Sequence, residues 1–173
     1  MFGWRKEEQR MASPLTRRLS VVATALGGIL AGASIDRSIV ALPAWRRVGA
    51  KPWATYSRQA DLSNGLILYP LLGIGQPLFT IATAVAYRLD RTNSPRSAAL
   101  PTYAAAVLSV GHLFATTRAA PNMLSLKRID DNDLEALQGA FRRFEQWQVL
   151  RGSLQALTFA ANLWSLVSVL QRG

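Results

Sequence analysis

LSNGLILYPLLGIGQPLFTIATAVAY, residues 62–87, runs for 26 residues without a charged side chain. As a helix rising about 1.5 Å per residue it would cover roughly 39 Å. The hydrocarbon core of a bilayer is about 30 Å thick. Inside lipid a backbone must satisfy its own hydrogen bonds, so a lone apolar run of this length reads as a transmembrane helix. A buried helix of a large soluble core is the alternative, and three further runs of the same kind argue against it. Pro70 and Pro77 have no N–H for the carbonyls of Leu66 and Gly73, and Gly73, Gly75 and Gln76 lie close by. A kinked or locally opened segment is expected there, either lining a cavity or only improving packing.

Working outward, Leu19 to Ile35 is uncharged and carries a Gly28–Gly32 GxxxG spacing, which permits close helix approach. Arg17, Arg18 and the Ala31-Gly32-Ala33 end imitate a signal peptide, and Arg17-Arg18-Leu19 a twin-arginine signal; a retained first helix is the reading adopted. Asp36 and Arg37 interrupt the run, which resumes to Leu42. Pro43 to Asp61 is a connection with Trp45, Trp53 and Tyr56 as interface markers. Arg88 to Arg96 is a short polar turn, suited to antiparallel neighbours. Ser97 to Thr117 and Gly152 to Gln171 are the remaining apolar runs. Between them, Asn132 and Glu135 resemble a capping box. Leu134, Leu137, Phe141 and Phe144 then recur at helical spacing, predicting an amphipathic helix that lies on the membrane or covers the bundle. The expected fold is all-α: a four-transmembrane-helix bundle with an amphipathic helix before the last crossing. A basic tail, 1–18, with Phe2, Trp4, Arg5, Lys6 and Arg10, precedes a membrane domain, 19–173.

Composition narrows the chemistry. The chain has 173 residues, net charge +10, no cysteine and one histidine, His112. Disulfides, cysteine nucleophiles and a multi-histidine metal site are thereby excluded. The basic residues flank apolar runs, so anionic headgroups are the expected partner and nucleic acid is not. No phosphate loop, GxSxG elbow or HExxH occurs, and no cofactor or metal is expected.

Four crossings put both termini on one side, here side A. Alternation then gathers Asp36, Arg37, Arg58, Asp61, His112, Arg118, Asn122, Trp147 and Arg151 toward the opposite side, side B. Ionisable groups at membrane depth usually face a bundle interior or a wet cavity. Asp36, Asp61, His112 and Arg118 are expected within one side-B pocket, with Asn122 and Arg151 near its rim. His112 and Asp61 are the candidate bases. The plainer alternatives are that Asp61 caps the second helix and that His112 bonds a neighbouring carbonyl. Side A carries Arg17, Arg18, Arg88, Asp90, Arg91 and Arg172, read as flanking charges. The density of arginines beside short segments there places both termini in the cytoplasm.

Pro121-Asn122 with Leu124, the Trp147–Arg151 spacing of four, Ala31-Gly32-Ala33 and Pro43-Ala44-Trp45 together resemble the anthrone-oxygenase-like family of small four-helix membrane proteins. The resemblance spans most of the chain through short motifs. It implies, as in some members, oxidation of an anthrone to an anthraquinone without metal or flavin. A base, an oxyanion partner and an apolar pocket would suffice. His112 or Asp61 would be the base. Arg118, Arg151 or Asn122 would hold the oxyanion, with Trp147 against the rings and Asp36 and Arg58 as further contacts. A non-catalytic accessory subunit of a larger membrane complex suits the same features, and transport is a third reading.

Overall fold

A computed structural model describes residues 11–171. The aromatic and basic residues expected to anchor the tail, Phe2 to Arg10, and Arg172 on side A lie outside them. The chain forms four long helices: α1, Pro14–Val48; α2, Ala50–Leu89; α3, Arg96–Lys127; and α4, Leu134–Leu170. Each packs on its chain neighbours, and α4 closes the ring on α1. All four are long and apolar enough to cross a membrane, so this is a multi-pass membrane protein.

Local chemistry sets the ends. Ser13 caps α1, its hydroxyl accepting the Thr16 N–H at 3.2 Å, and Pro14 fills the first position. A single residue, Gly49, separates α1 from α2 with φ 98°, a backbone that only glycine adopts readily. Asp133 caps α4 by accepting the Ala136 N–H at 3.0 Å, one residue after the expected Asn132.

The helices outrun the apolar stretches that announce them. At 32 to 40 residues, each is roughly 48–60 Å long, well beyond a bilayer core. The expected amphipathic helix is not a separate element; it is the first part of α4, continuous through Gly152. Its residues Leu137, Phe141 and Phe144 are buried, whereas Leu134 is exposed. They pack on the side-B extension of α2, where Trp53 is wholly buried with ring centroids 5.0 Å from Phe141 and 5.7 Å from Phe144. Leu42, Leu62, Met123 and Leu126 complete this apolar cap. Arg58 laces the α3–α4 loop to it, donating to the carbonyls of Leu126 (2.8 Å) and Ile129 (2.7 Å) and pairing with Asp131.

Below the cap the pattern inverts. The buried face of α4 changes from Leu137, Phe141 and Phe144 to Gln148, Gln155, Thr158, Asn162 and Ser165. The interior faces of α1 and α3 are equally small and polar: Ser20, Thr24, Gly27 and Ser34 on one, Thr102, Ala105 and Ser109 on the other. Most leucines, isoleucines and valines here point outward, with Leu30, Leu72 and Val169 among the buried exceptions. A polar interior with an apolar exterior is the order that hydrocarbon favours, since helices there associate through close packing and hydrogen bonds. Thr102 and Ser165 hydroxyls meet at 2.6 Å, and Asn162 donates to Thr80 at 3.0 Å. Gly28 of the GxxxG spacing faces Phe159 of α4, while a Cβ on Gly32 would meet nothing within 4 Å. Gly28 thus serves a contact within the chain.

Side A is tied by Asp90, which had been expected to be a flanking charge. It accepts the Ser13 N–H that begins α1, the Ser94 hydroxyl and the Asn93 amide. Burial opposes its ionisation, but these bonds outweigh burial and hold its carboxyl below the usual range.

Topology is checked by cysteine labelling in this cysteine-free chain. Ser94 is fully buried, so exposed Thr92 is the better probe. Thr92→Cys and Lys51→Cys should react from opposite faces of the membrane; labelling of both from one face would refute an even-crossing bundle. The Arg58–Asp131 tie gives a pH signature. The hydrogen bond from Arg58 is the main reason the Asp131 carboxyl is held below its ordinary range. Its contribution is present above the unfolded carboxylate range and fades as pH falls through the lowered folded value. The gap in melting temperature between wild type and Asp131→Asn should therefore shrink as pH falls through and below the ordinary carboxylate range.

Candidate functional site

Beneath the cap, two widened helical turns carry the central ion pair. In α1 the Leu42 N–H donates to the Arg37 carbonyl, five residues back; Pro43 follows, with no N–H to give the carbonyl of Ile39. In α2 the Gly65 N–H reaches the Ala60 carbonyl in the same way. Such π-turns insert one extra residue and re-aim their neighbours. Here they bring Arg37 of α1 and Asp61 of α2 into a salt bridge whose side chains are 15% and 4% exposed.

Two glycines allow the approach. A Cβ on Gly65 would stand 2.2 Å from the Tyr69 ring, so glycine lets that ring fold back over the turn. A Cβ on Gly152 would stand 3.0 Å from the Ser38 hydroxyl, so glycine lets the widened turn of α1 lie against α4. Arg37 also donates to the Tyr69 hydroxyl at 3.3 Å and sits 5.2 Å from its ring centroid, with Trp45 on another side at 6.0 Å.

Arg151 of α4 joins this group. It donates to Gln148 and lies within electrostatic reach of Arg37, Asp61, Tyr69 and His112. One turn deeper, Gln155 bridges Ser34 and His112. Ser34 donates to the amide oxygen, and the amide nitrogen donates to His112 Nε2 at 2.7 Å. That leaves the imidazole proton on Nδ1 and the Nε2 lone pair already engaged.

The cluster is buried yet incompletely bonded. Among the described residues, eight buried side-chain atoms have no hydrogen-bond partner: Ser38 Oγ, Asp61 Oδ2, His112 Nδ1, Gln148 Nε2 and Arg151 Nε lie here, and Trp53 Nε1, Ser57 Oγ and Gln76 Oε1 lie elsewhere. Buried polar atoms are nearly always paired, so five such atoms in one cluster mark a place that can receive a polar ligand atom. Its charge is unbalanced too. Two guanidiniums face one carboxylate, and guanidinium does not readily release its proton. The arrangement is suited to holding an anionic oxygen beside a free carboxylate oxygen. A surface cleft of about 480 Å³, lined in part by Ser125, Asp133 and Arg143, lies elsewhere, outside the cap.

Of the residues expected in one pocket, Asp61, His112 and Arg151 come together. Asp36 does not: it is exposed, and its neighbour Arg37 turns inward. Arg118 is exposed and lies over Phe114 at 5.3 Å, because six residues beyond His112 is the opposite face of α3. Asn122 accepts from Arg143 at 3.1 Å, and Arg58 is engaged in the loop tie; both act above the cluster. Trp147 is half-buried, with Gln148 taking the inward position. Asp61 does not cap a helix, since α2 begins at Ala50. Tyr69, Gln148, Gln155 and Ser34 were not anticipated. The polar stripe Gln148, Gln155, Thr158, Asn162 along α4 was the available signal.

Removing one partner of a buried pair should be far worse than removing both. Arg37→Ala removes the direct partner of Asp61, leaving it only the more distant Arg151, and should cost up to about 3–5 kcal/mol. Asp61→Asn should cost less, because Arg37 can extend toward the membrane surface. The double variant should be more stable than Arg37→Ala alone, measured by unfolding of the reconstituted protein. Additive losses would refute the pairing.

Comparison with known proteins returns no matching family model, curated protein or solved structure. The assignment that stands is architectural: a multi-pass membrane protein whose four helices enclose a polar interior.

Proposed function

We propose that the side-B cluster binds a small, flat apolar molecule carrying an acidic or enolisable oxygen, and that the chain is an anthrone-oxygenase-like protein acting without cofactor. The observation that supports this is the excess guanidinium charge beside the unpartnered Asp61 Oδ2. In the proposed reaction Asp61 takes a proton from the methylene that lies across the central ring from the ketone. Arg151 holds the enolate oxygen. The carbanion adds O2, Asp61 returns the proton to give a hydroperoxide, and loss of water leaves the quinone. His112 supports the cluster through Gln155 rather than serving as base, because its Nε2 is engaged. Tyr69 supplies an aromatic face. Side A faces the cytoplasm, so Thr92→Cys should react only once that side is opened.

The test is oxygen uptake by the reconstituted protein with a panel of anthrones. Asp61→Asn and Arg151→Gln should each lower kcat/KM at least about 100-fold, the scale for loss of a general base or an oxyanion donor. His112→Ala should lower it less. Uptake at the spontaneous rate, together with co-purification in a larger complex at fixed stoichiometry, would favour the accessory-subunit reading.

A further inference from the structure

The cluster is sealed from the water on side B. Leu42, Trp53, Leu126, Leu137 and Phe144 lie between it and the aqueous face, each nearly or wholly buried. Toward side A, a bundle interior of packed hydroxyls and amides closes it. Lateral closure is weaker. From Leu66 to Leu71, six consecutive residues of α2 are exposed, with Ile67 at 80%. A helix packed on a bundle buries a residue every three or four positions, so α2 stands away from its neighbours for more than a turn. The cause lies in the sequence. Pro70 leaves the Leu66 carbonyl without its helical partner, and Gly73 presents no side chain to the bundle, a Cβ there meeting nothing within 4 Å. At this level the cluster reaches the surface through Arg37 and Tyr69, flanked by the exposed apolar side chains of Ile39, Val40 and Leu66.

We infer that the ligand enters from the side-B leaflet, through the stretch where α2 stands away, with the Arg37–Tyr69 contact as its gate. The inference rests on the binding reading above and narrows its ligand class. The ligand is an amphiphile that dissolves in the membrane, with an acidic group that sits at headgroup depth and a flat apolar body. Its acid passes Tyr69 to reach Arg37 and Arg151, and its flat body follows past α2 toward Asp61. The aromatic side chains of Trp45, Tyr56 and Tyr69 hold this region at the interface.

The test uses the full chain in phosphatidylcholine vesicles, with pyrenebutyrate as probe and pyrenebutanol as its neutral match. Wild type should bind the acid at least ten-fold more tightly than the alcohol, and Arg151→Gln should remove that preference. Tyr69→Ala should speed association of the acid several-fold, whereas Tyr69→Phe, which keeps the ring, should change it little. Association with wild type should follow the concentration of probe in the membrane, varied by adding lipid, rather than its aqueous concentration. Far-ultraviolet circular dichroism checks that each variant is folded. Loss of acid preference in Arg151→Gln with an unchanged association rate in a folded Tyr69→Ala would overturn the lateral gate and leave the binding reading standing. Equal binding of acid and alcohol by wild type would overturn the binding reading itself.

Discussion

A carboxylate buried within a membrane bundle is tolerable only when a cation meets it, and much of side B is shaped by the meeting of Asp61 and Arg37. An unbroken α1 or α2 would place these side chains in a different phase, so each helix carries a widened turn at that point. The turn in α1 needs room against α4, which Gly152 provides, and the turn in α2 needs room beneath Tyr69, which Gly65 provides. The second guanidinium, Arg151, then adds a charge that nothing in the cluster neutralises. A purely structural ion pair would need no such excess, and that surplus separates this cluster from the interhelical hydrogen bonds deeper in the bundle.

The inversion along α4 explains how one helix serves two solvents. Its first three turns bury aromatics against Trp53, as a water-soluble helix would. Its remaining turns bury amides and hydroxyls, because lipid gives apolar side chains no reason to turn inward. The transition falls between Phe144 and Gln148, and Asp61 and Arg151 sit at that level on their own helices. The cluster therefore occupies the one layer where the interior changes from apolar to polar. There a charged group is shielded from bulk water by the cap but still close to the interfacial region, which lowers the cost of holding it.

Which helices cross the membrane was legible from length and charge alone, since uncharged runs of this kind have few other uses. The ends were not legible, because the side-B extensions are stabilised by packing with residues distant in sequence, such as Trp53 on Phe141. Within the site, alternation between sides placed Asp61, His112 and Arg151 near one another but could not say which side chains turn inward. Helical phase could have done so. The small-residue stripe of Ser20, Thr24, Gly27 and Ser34 continues to Arg37 and Ser38, leaving Asp36 outside, and Ser109, His112, Ala115 and Ala119 leave Arg118 outside. The widened turns had no such signal. Pro43 hints at one, but Ala60 to Asn64 contains nothing that distinguishes it from an ordinary turn.

The division of labour between the two candidate bases follows from hydrogen bonding rather than from intrinsic basicity. His112 is the residue whose ordinary titration range suits catalysis near neutrality, and the sequence offers it as a candidate base alongside Asp61. Yet its one basic nitrogen already accepts from Gln155, whose oxygen is in turn fixed by Ser34. To accept a proton at Nε2 it must first break that bond, and it would then add a third positive charge beside Arg151 and Arg37. Asp61 does not face the first obstacle: one carboxylate oxygen is held by Arg37 and the other is unpartnered, so it can take a proton without breaking a hydrogen bond. Protonating it leaves the two guanidiniums facing whatever anion has formed. The guanidiniums oppose protonation of either base, and the anion formed at Arg151 offsets that opposition; what separates the two is the free lone pair on Asp61. That asymmetry is why the carboxylate, and not the imidazole, is the group around which a reaction at this site would be organised.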